Sequence, residues 1–135
     1  MKFLAILLVP FAFLLGGMTR GESPKRDDAT AKEARGQRLF LQCQACHSIT
    51  PNAPHKLGPN LHGIVGTKAA TRTGYTYSAA LSKSGIVWTD QNLDAWLEHT
   101  NATVPGSKMI FAGMPSKADR EALIAYLKRT SRPAR

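Results

Sequence analysis

Cysteine is scarce in this chain of 135 residues, acidic residues are unevenly spread, and no strand pattern is convincing. Its only cysteines are Cys43 and Cys46, so a zinc site built from two well-spaced cysteine pairs is excluded. Without a strand before the cysteines, a thioredoxin-like redox motif lacks its βαβ context. No repeat and no low-complexity tract is present, and no motif is typical of nucleic-acid binding.

One long apolar run occurs, at the very start. Lys2 precedes an unbroken apolar stretch from Phe3 to Leu15, which predicts an export signal over residues 1–21. An uncleaved membrane anchor is the alternative. Residues 22–30 are polar and charged and predict a linker, which leaves a single domain over residues 31–135. Either way, the domain is expected outside the cytoplasm.

Helical patterns dominate the remaining chain and predict an all-α domain. A short amphipathic helix is predicted from Thr30 into the cysteines, and Ser78, Thr89 and Ser116 are suited to cap three later helices. Between them lie long segments rich in Gly, Pro, Asn and Thr, over 50–77 and 100–115. Loops of this length need something to organise them, so a large group is expected at the centre.

The motif Cys43-Gln44-Ala45-Cys46-His47 suggests what that group is. Two thiols at this spacing can reach the two vinyl groups on one edge of a porphyrin, and the next residue then lies under the iron. The pattern C-x-x-C-H is the attachment signal of c-type haem. It predicts thioether bonds from Cys43 and Cys46, with His47 as an axial ligand.

The second axial position has several candidates. Met109 lies in V-P-G-S-K-M-I-F-A-G, where Pro105 and Gly106 predict a rigid loop able to present the thioether. A single methionine is more often core filler. The rivals are Met114 and the histidines at 55, 62 and 99, among which His62 in G-P-N-L-H-G is the strongest.

Six motifs in order, from about Gly36 to Lys128, resemble those of class I cytochromes c of the mitochondrial type and their bacterial periplasmic relatives. They are C-Q-A-C-H, K-L-G-P-N-L-H-G, G-Y-T-Y-S, G-I-V-W, V-P-G-S-K-M-I-F-A-G and E-A-L-I-A-Y-L-K. The resemblance implies a cytochrome c fold: about four helices and long ordered loops around one covalently bound haem c.

The resemblance also implies roles for further residues. Pro59 would accept a hydrogen bond from His47, while Tyr77 and Trp88 would donate to a haem propionate. Contact with the haem is implied for Gly58, Trp96, Ser107 and Phe111. Gly36 and Phe40 would meet Leu123 and Tyr126, and His55 would tie a loop.

Three positions depart from the family pattern. Thr67 stands where an arginine beneath the propionates is usual, and Arg72 in the same loop is a candidate to compensate. Leu81 and Trp96 replace a common asparagine and tyrosine. The polar network on the methionine side is therefore expected to differ.

The charge distribution indicates the kind of partner. Net charge is +9, and no Asp or Glu occurs from Ala34 to Thr89. A basic face carrying Arg38, Lys56, Lys108 and Lys117 would steer the molecule towards acidic faces of redox proteins. The resemblance implies a quinol–cytochrome c oxidoreductase and a terminal oxidase or reaction centre as partners, and a monomer that meets a membrane only if the first segment is retained.

The sequence thus predicts a periplasmic or otherwise exported carrier of single electrons, not an enzyme, with haem c and its iron as cofactor. The alternative is a haem subunit of an oxidase, or a peroxidase-like enzyme whose distal methionine is labile.

Overall fold

The computed structural model describes residues 24–130. The predicted export signal therefore lies outside the described residues. Five α-helices and one 3₁₀ turn follow in order: α1 (Pro24–Leu39), the 3₁₀ turn (Phe40–Gln42), α2 (Ala79–Lys83), α3 (Asp90–Glu98), α4 (Thr100–Thr103) and α5 (Lys117–Thr130). Between residues 24 and 130 no strand forms, and the one β-bridge joins Lys68 and Val87.

The predicted helix caps are confirmed. The Ser78 side chain accepts from the Leu81 amide at the start of α2, and Thr89 accepts from Asn92 at the start of α3. The Ser116 hydroxyl accepts from the Asp119 amide at 3.3 Å at the start of α5. Each cap satisfies a backbone donor that the helix leaves without a partner.

Two element boundaries differ from the sequence prediction. Helix α1 begins at Pro24 rather than Thr30, so part of the segment predicted as a linker is helical. Proline suits the first position of a helix, and the negative charge of Asp27 in the first turn stabilises the positive N-terminal end of the helix dipole. Helix α4 lies inside the segment 100–115 that was expected to be loop.

Helices α1 and α5 form the main helix pair. A Cβ added at Gly36 would overlap the backbone carbonyl of Ala122, so only glycine allows this approach. The rings of Phe40 and Tyr126 meet with their centroids 5.6 Å apart. The predicted contact between these two helices is confirmed.

The core lies between this pair, α3 and the loops, and is one cluster of apolar side chains. It includes Trp88, Trp96 and Met114, each about 6% exposed, and Leu123 at 1%. No helix in the described part of the chain is long and apolar enough to cross a membrane.

Candidate functional site

The segment from Cys43 to His47 forms a tight turn directly after the 3₁₀ turn. The amides of Cys46 and His47 both donate to the Cys43 carbonyl, at 3.1 and 2.9 Å. The Cys46 carbonyl in turn accepts from the Gly58 amide at 2.8 Å. The cysteines and the histidine are therefore held by backbone bonds to one another and to the next loop.

The environment of Cys43 disfavours a reactive thiol. Burial, reinforced by the neighbouring Cys46, raises the pKa of the Cys43 thiol to about 11. A reactive cysteine needs the thiolate, which a raised pKa disfavours. Across residues 24–130 no three His, Cys, Asp or Glu side chains are grouped to bind a metal ion. A thioether carries no charge and is compatible with this burial.

The His47 imidazole is oriented for ligation through one nitrogen. Its Nδ1 lies 2.8 Å from the Pro59 carbonyl, which can only accept, so Nδ1 carries the proton and Nε2 keeps its lone pair. Burial lowers the pKa of His47 against the opposing effect of this hydrogen bond. A Cβ added at Gly58 would overlap the imidazole ring, so the ring rests on bare backbone.

Met109 is presented by the predicted Pro-Gly loop. The Ser107 amide donates to the Val104 carbonyl at 3.1 Å, Gly106 adopts a φ of 83°, and the Met109 amide donates to the Ser107 hydroxyl at 3.2 Å. Met109 is half-buried, whereas Met114 is 6% exposed within the helical core. The two methionines thus have different environments.

These segments surround a cavity of about 440 Å³, in the range of small-molecule and cofactor sites. Both predicted ligands and every predicted haem-contacting residue line it: Cys43, Cys46, His47, Gly58, Pro59, Tyr77, Trp88, Trp96, Ser107, Met109 and Phe111. The other candidate ligands, at positions 55, 62, 99 and 114, do not. Most of the lining is apolar, as a porphyrin requires.

His55 ties two loops together. Its Nε2 lies 2.9 Å from the Thr73 carbonyl, and its Nδ1 accepts from the Asn60 amide at 2.9 Å. Both ring nitrogens are engaged, which agrees with the loop-tying role that the resemblance implies.

At the two departures on the methionine side the cavity wall is apolar. Leu81 lines the cavity, and the indole of Trp96 packs edge-on against Trp88 with ring centroids 5.2 Å apart. Leu81 and the Trp88–Trp96 ring pair thus supply apolar surface at the two positions where the resemblance leads us to expect asparagine and tyrosine.

Two exposed apolar residues are among the lining residues that sequence reasoning did not assign to the site. Leu57 and Ile110 line it, yet their side chains are 81% and 101% exposed. Their apolar character gave no signal, because an apolar residue next to a motif is normally read as core.

Comparison with known proteins identifies the family. The family model described as cytochrome c matches residues 33–131. The chain belongs to the cytochrome c family. Its haem is therefore haem c, bound covalently, and its function is to carry single electrons.

Individual relatives show the extent of the similarity. Cytochrome c2 of Rhodomicrobium vannielii is 40% identical over 99 residues, covering 73% of this chain and 79% of the relative. Cytochrome c of Theileria annulata is 46% identical over 99 residues, covering 73% and 85%. The solved structure of cytochrome cH from Methylobacterium extorquens superposes with a TM-score of 0.67 at 41% identity, covering 72% of this chain and 97% of that one.

Proposed function

We propose that His47 and Met109 are the two axial ligands of the haem iron and that Cys43 and Cys46 form its thioether bonds. The observation that carries this assignment is that all four line one cavity of about 440 Å³, although they come from segments more than 60 residues apart. The oriented imidazole offers Nε2 and the loop offers a thioether. When bound, the haem supplies a one-electron iron couple.

The protein's part in the chemistry is to hold this couple. Pro59 fixes the imidazole, the Pro-Gly loop fixes the thioether, and the apolar wall at Leu81 and Trp96 keeps water away. With both axial positions filled, no site remains for a substrate. We infer that the chain is a carrier and not an enzyme.

Carbon monoxide binding tests this assignment. Ferrous wild-type protein should not bind carbon monoxide rapidly at neutral pH, because the thioether holds the sixth position. Met109→Ala should open that position, lower the potential and abolish the weak charge-transfer band of the iron–sulfur bond in the ferric protein. The matched control, Met114→Ala, should keep all three properties. Rapid binding to the wild type would favour the peroxidase-like alternative.

The rim of the cavity is the proposed docking surface. Exposed Leu57 and Ile110 lie there beside Lys56 and Lys108, which are also exposed. The ion pairs of the described residues lie elsewhere, among α1, α3 and α5, where they pair five acidic side chains: Asp90, Asp94, Glu98, Asp119 and Glu121. The rim is therefore apolar and cationic, which suits acidic faces such as those expected of a quinol–cytochrome c oxidoreductase, a terminal oxidase or a reaction centre.

Electron transfer to a small anionic oxidant tests this surface without a protein partner. The rate with hexacyanoferrate(III) should fall as ionic strength rises, since steering by charges is screened beyond about 10 Å at 0.1 M salt. Lys108→Gln should lower the low-salt rate, and Lys25→Gln on the first turn of α1 should not. A rate that does not change with salt would refute steering.

Export is the remaining part of the proposal. The apolar run at residues 3–15 and the extracytoplasmic attachment of haem c both support a periplasmic or otherwise exported protein. The N-terminal sequence of the haem-bearing product from an exporting host should begin after Gly21. A product that still starts at Met1 would indicate a retained anchor.

A further inference from the structure

The starting observation is an enclosed nitrogen without a partner on the half-buried side chain of Arg72. In the described part of the chain, Arg72 Nε is the one fully enclosed side-chain nitrogen or oxygen without a hydrogen-bond partner. Nη2 of the same guanidinium donates to the His62 carbonyl at 2.5 Å, which fixes the group in place. A guanidinium stays charged and has five N–H donors, so burial without an anion is costly.

The guanidinium lies next to the cavity wall. Its Nη2 bonds to the carbonyl of His62, which lies between two cavity-lining residues, Leu61 and Ile64. Burial raises the pKa of Tyr77, and the Arg72 backbone and charge act against this rise. Tyr77, Ser78 and Trp88 line the cavity. The Trp88 amide donates to the Thr67 carbonyl at 2.8 Å, so the Arg72 loop and the Trp88 segment are joined.

The protein offers this cation no anion nearby in sequence. No Asp or Glu occurs from residue 34 to 89, and the described ion pairs involve Arg35, Arg120 and lysines of α1 and α5 instead. The two carboxylates of the haem are the remaining candidates for an anionic partner of Arg72. A cation beside the polar part of the wall matches an anionic group of the cofactor.

Thr67 does not supply this interaction. Its hydroxyl donates to the Ile64 carbonyl at 2.7 Å, three residues back in the chain, and the side chain has no charge. The position where the family pattern places an arginine is therefore occupied by a local turn contact.

We propose that Arg72 is the residue that binds and neutralises a haem carboxylate in this protein, in place of the residue at position 67. This inference depends on the proposed haem site being occupied as described above. It assigns to Arg72 a tuning role that neither its sequence neighbours nor Thr67 can perform.

Two measurable consequences follow. A fixed positive charge near the iron favours the ferrous state, so its removal should lower the reduction potential. The cation also keeps its carboxylate ionised. Without it, protonation of the carboxylate moves towards neutral pH, and the potential should then fall as pH rises, because the anion favours ferric iron.

The test compares four purified haem-bearing variants: Arg72→Gln, Arg72→Lys, the double variant Thr67→Arg/Arg72→Gln, and the control Arg38→Gln. Arg38 is an exposed arginine in the last turn of α1, and its replacement by Gln removes the same charge from another surface. Arg72→Gln should lower the potential and make it pH-dependent between about pH 5 and 8. The double variant should restore both properties, Arg72→Lys should restore them partly, and Arg38→Gln should match the wild type.

The result that overturns the inference is an Arg72→Gln protein whose potential has the wild-type value and pH dependence. A double variant that stays as low as Arg72→Gln would also count against a charge effect and indicate loop damage. The charge-transfer band is recorded for each variant. If that band is missing in the wild type, the ligand assignment has failed; if it is present while the potential is unmoved, the Arg72 inference alone has failed.

Discussion

At the scale of single residues, Gly58 is under the tightest steric constraint in the site. Its absent side chain leaves room for the His47 ring, while its amide donates to the Cys46 carbonyl at 2.8 Å. Pro59 follows directly and accepts from the same ring. Two adjacent residues, Gly58 and Pro59, thus fix the position of the His47 ring and the nitrogen that carries its proton.

Gly58→Ala should therefore damage the site more than an ordinary glycine replacement does. Gly85→Ala is the matched control, because a Cβ there meets open space and only its φ of 67° is strained. That strain should cost about 1–2 kcal/mol of unfolding free energy. Denaturant titration of the haem-bearing proteins should show a larger loss for Gly58→Ala, together with a shifted Soret band. Equal losses would mean that the ring does not rest on Gly58.

The proposed cofactor-binding residues could be predicted from sequence because they are reactive residue types at a fixed spacing. The C-x-x-C-H pattern of Cys43, Cys46 and His47 predicts covalent attachment of a porphyrin almost by itself. Leu57 and Ile110 were not predictable, since their exposure depends on where distant loops place them. The enclosed Arg72 nitrogen was equally hidden, because burial of a charged group follows from tertiary packing.

At the scale of elements, the loop that carries Met109 is fastened at its far end. The Met114 amide donates to the Leu97 carbonyl at 2.8 Å at the end of α3. Arg120 of α5 donates to the carbonyls of Met114 and Pro115 at 2.8 and 2.9 Å, and also pairs with Asp94 at 2.8 Å. This hydrogen bond holds the pKa of Asp94 below its usual value. The loop is therefore secured to two helices just beyond the thioether.

Loss of the Arg120 hydrogen bonds should weaken the bond between the Met109 thioether and the iron without unfolding the domain. Arg120→Ala should raise the apparent affinity of ferric iron for added imidazole by about tenfold, because two hydrogen bonds from a charged donor are lost. Arg35→Ala is the control, since Arg35 on α1 pairs at 2.6 Å with Asp119, which lies on the same helix as Arg120. Imidazole titration at constant pH measures both. An unchanged affinity in Arg120→Ala would show that the loop holds without the arginine.

Helix boundaries could be predicted from the sequence where a capping side chain bonds to a backbone amide a few residues away. Ser78, Thr89 and Ser116 each act within three residues, so sequence alone located α2, α3 and α5. The start of α1 was wrong because a polar helix on the surface has no apolar stripe at its first turns. Helix α4 has one buried residue, Thr100, and four residues in all, which is too short for a periodic signal.

At the scale of the whole molecule, the cavity occupies the place of a hydrophobic centre. Helices α2, α3 and α5 and the 3₁₀ turn supply part of the wall, and loops supply most of the rest. A domain of about a hundred residues has little apolar surface to spare. The haem must therefore contribute a large share of the buried contacts that order the loops.

Cys43→Ala/Cys46→Ala should consequently yield a chain that does not fold stably without haem. Limited proteolysis should cut the double variant within the segments 50–77 and 104–115, while the haem-bearing wild type resists. Each single variant, which retains one thioether bond, should be intermediate. A haem-free double variant as resistant as the wild type would contradict the dependence on haem.

The glycine contact between α1 and α5 also bears on the order of events during biogenesis. Gly36 lies on the first helix and Ala122 on the last helix of the described chain, so most of the described residues lie between them in sequence. Contacts between such distant residues form late, since the loop between them must close first. If the chain is exported as proposed, it cannot make this contact until α5 has left the export channel. Until then Cys43 and Cys46 would lie at the end of an unpaired helix and be accessible for haem attachment, and docking of α5 would then close the finished site.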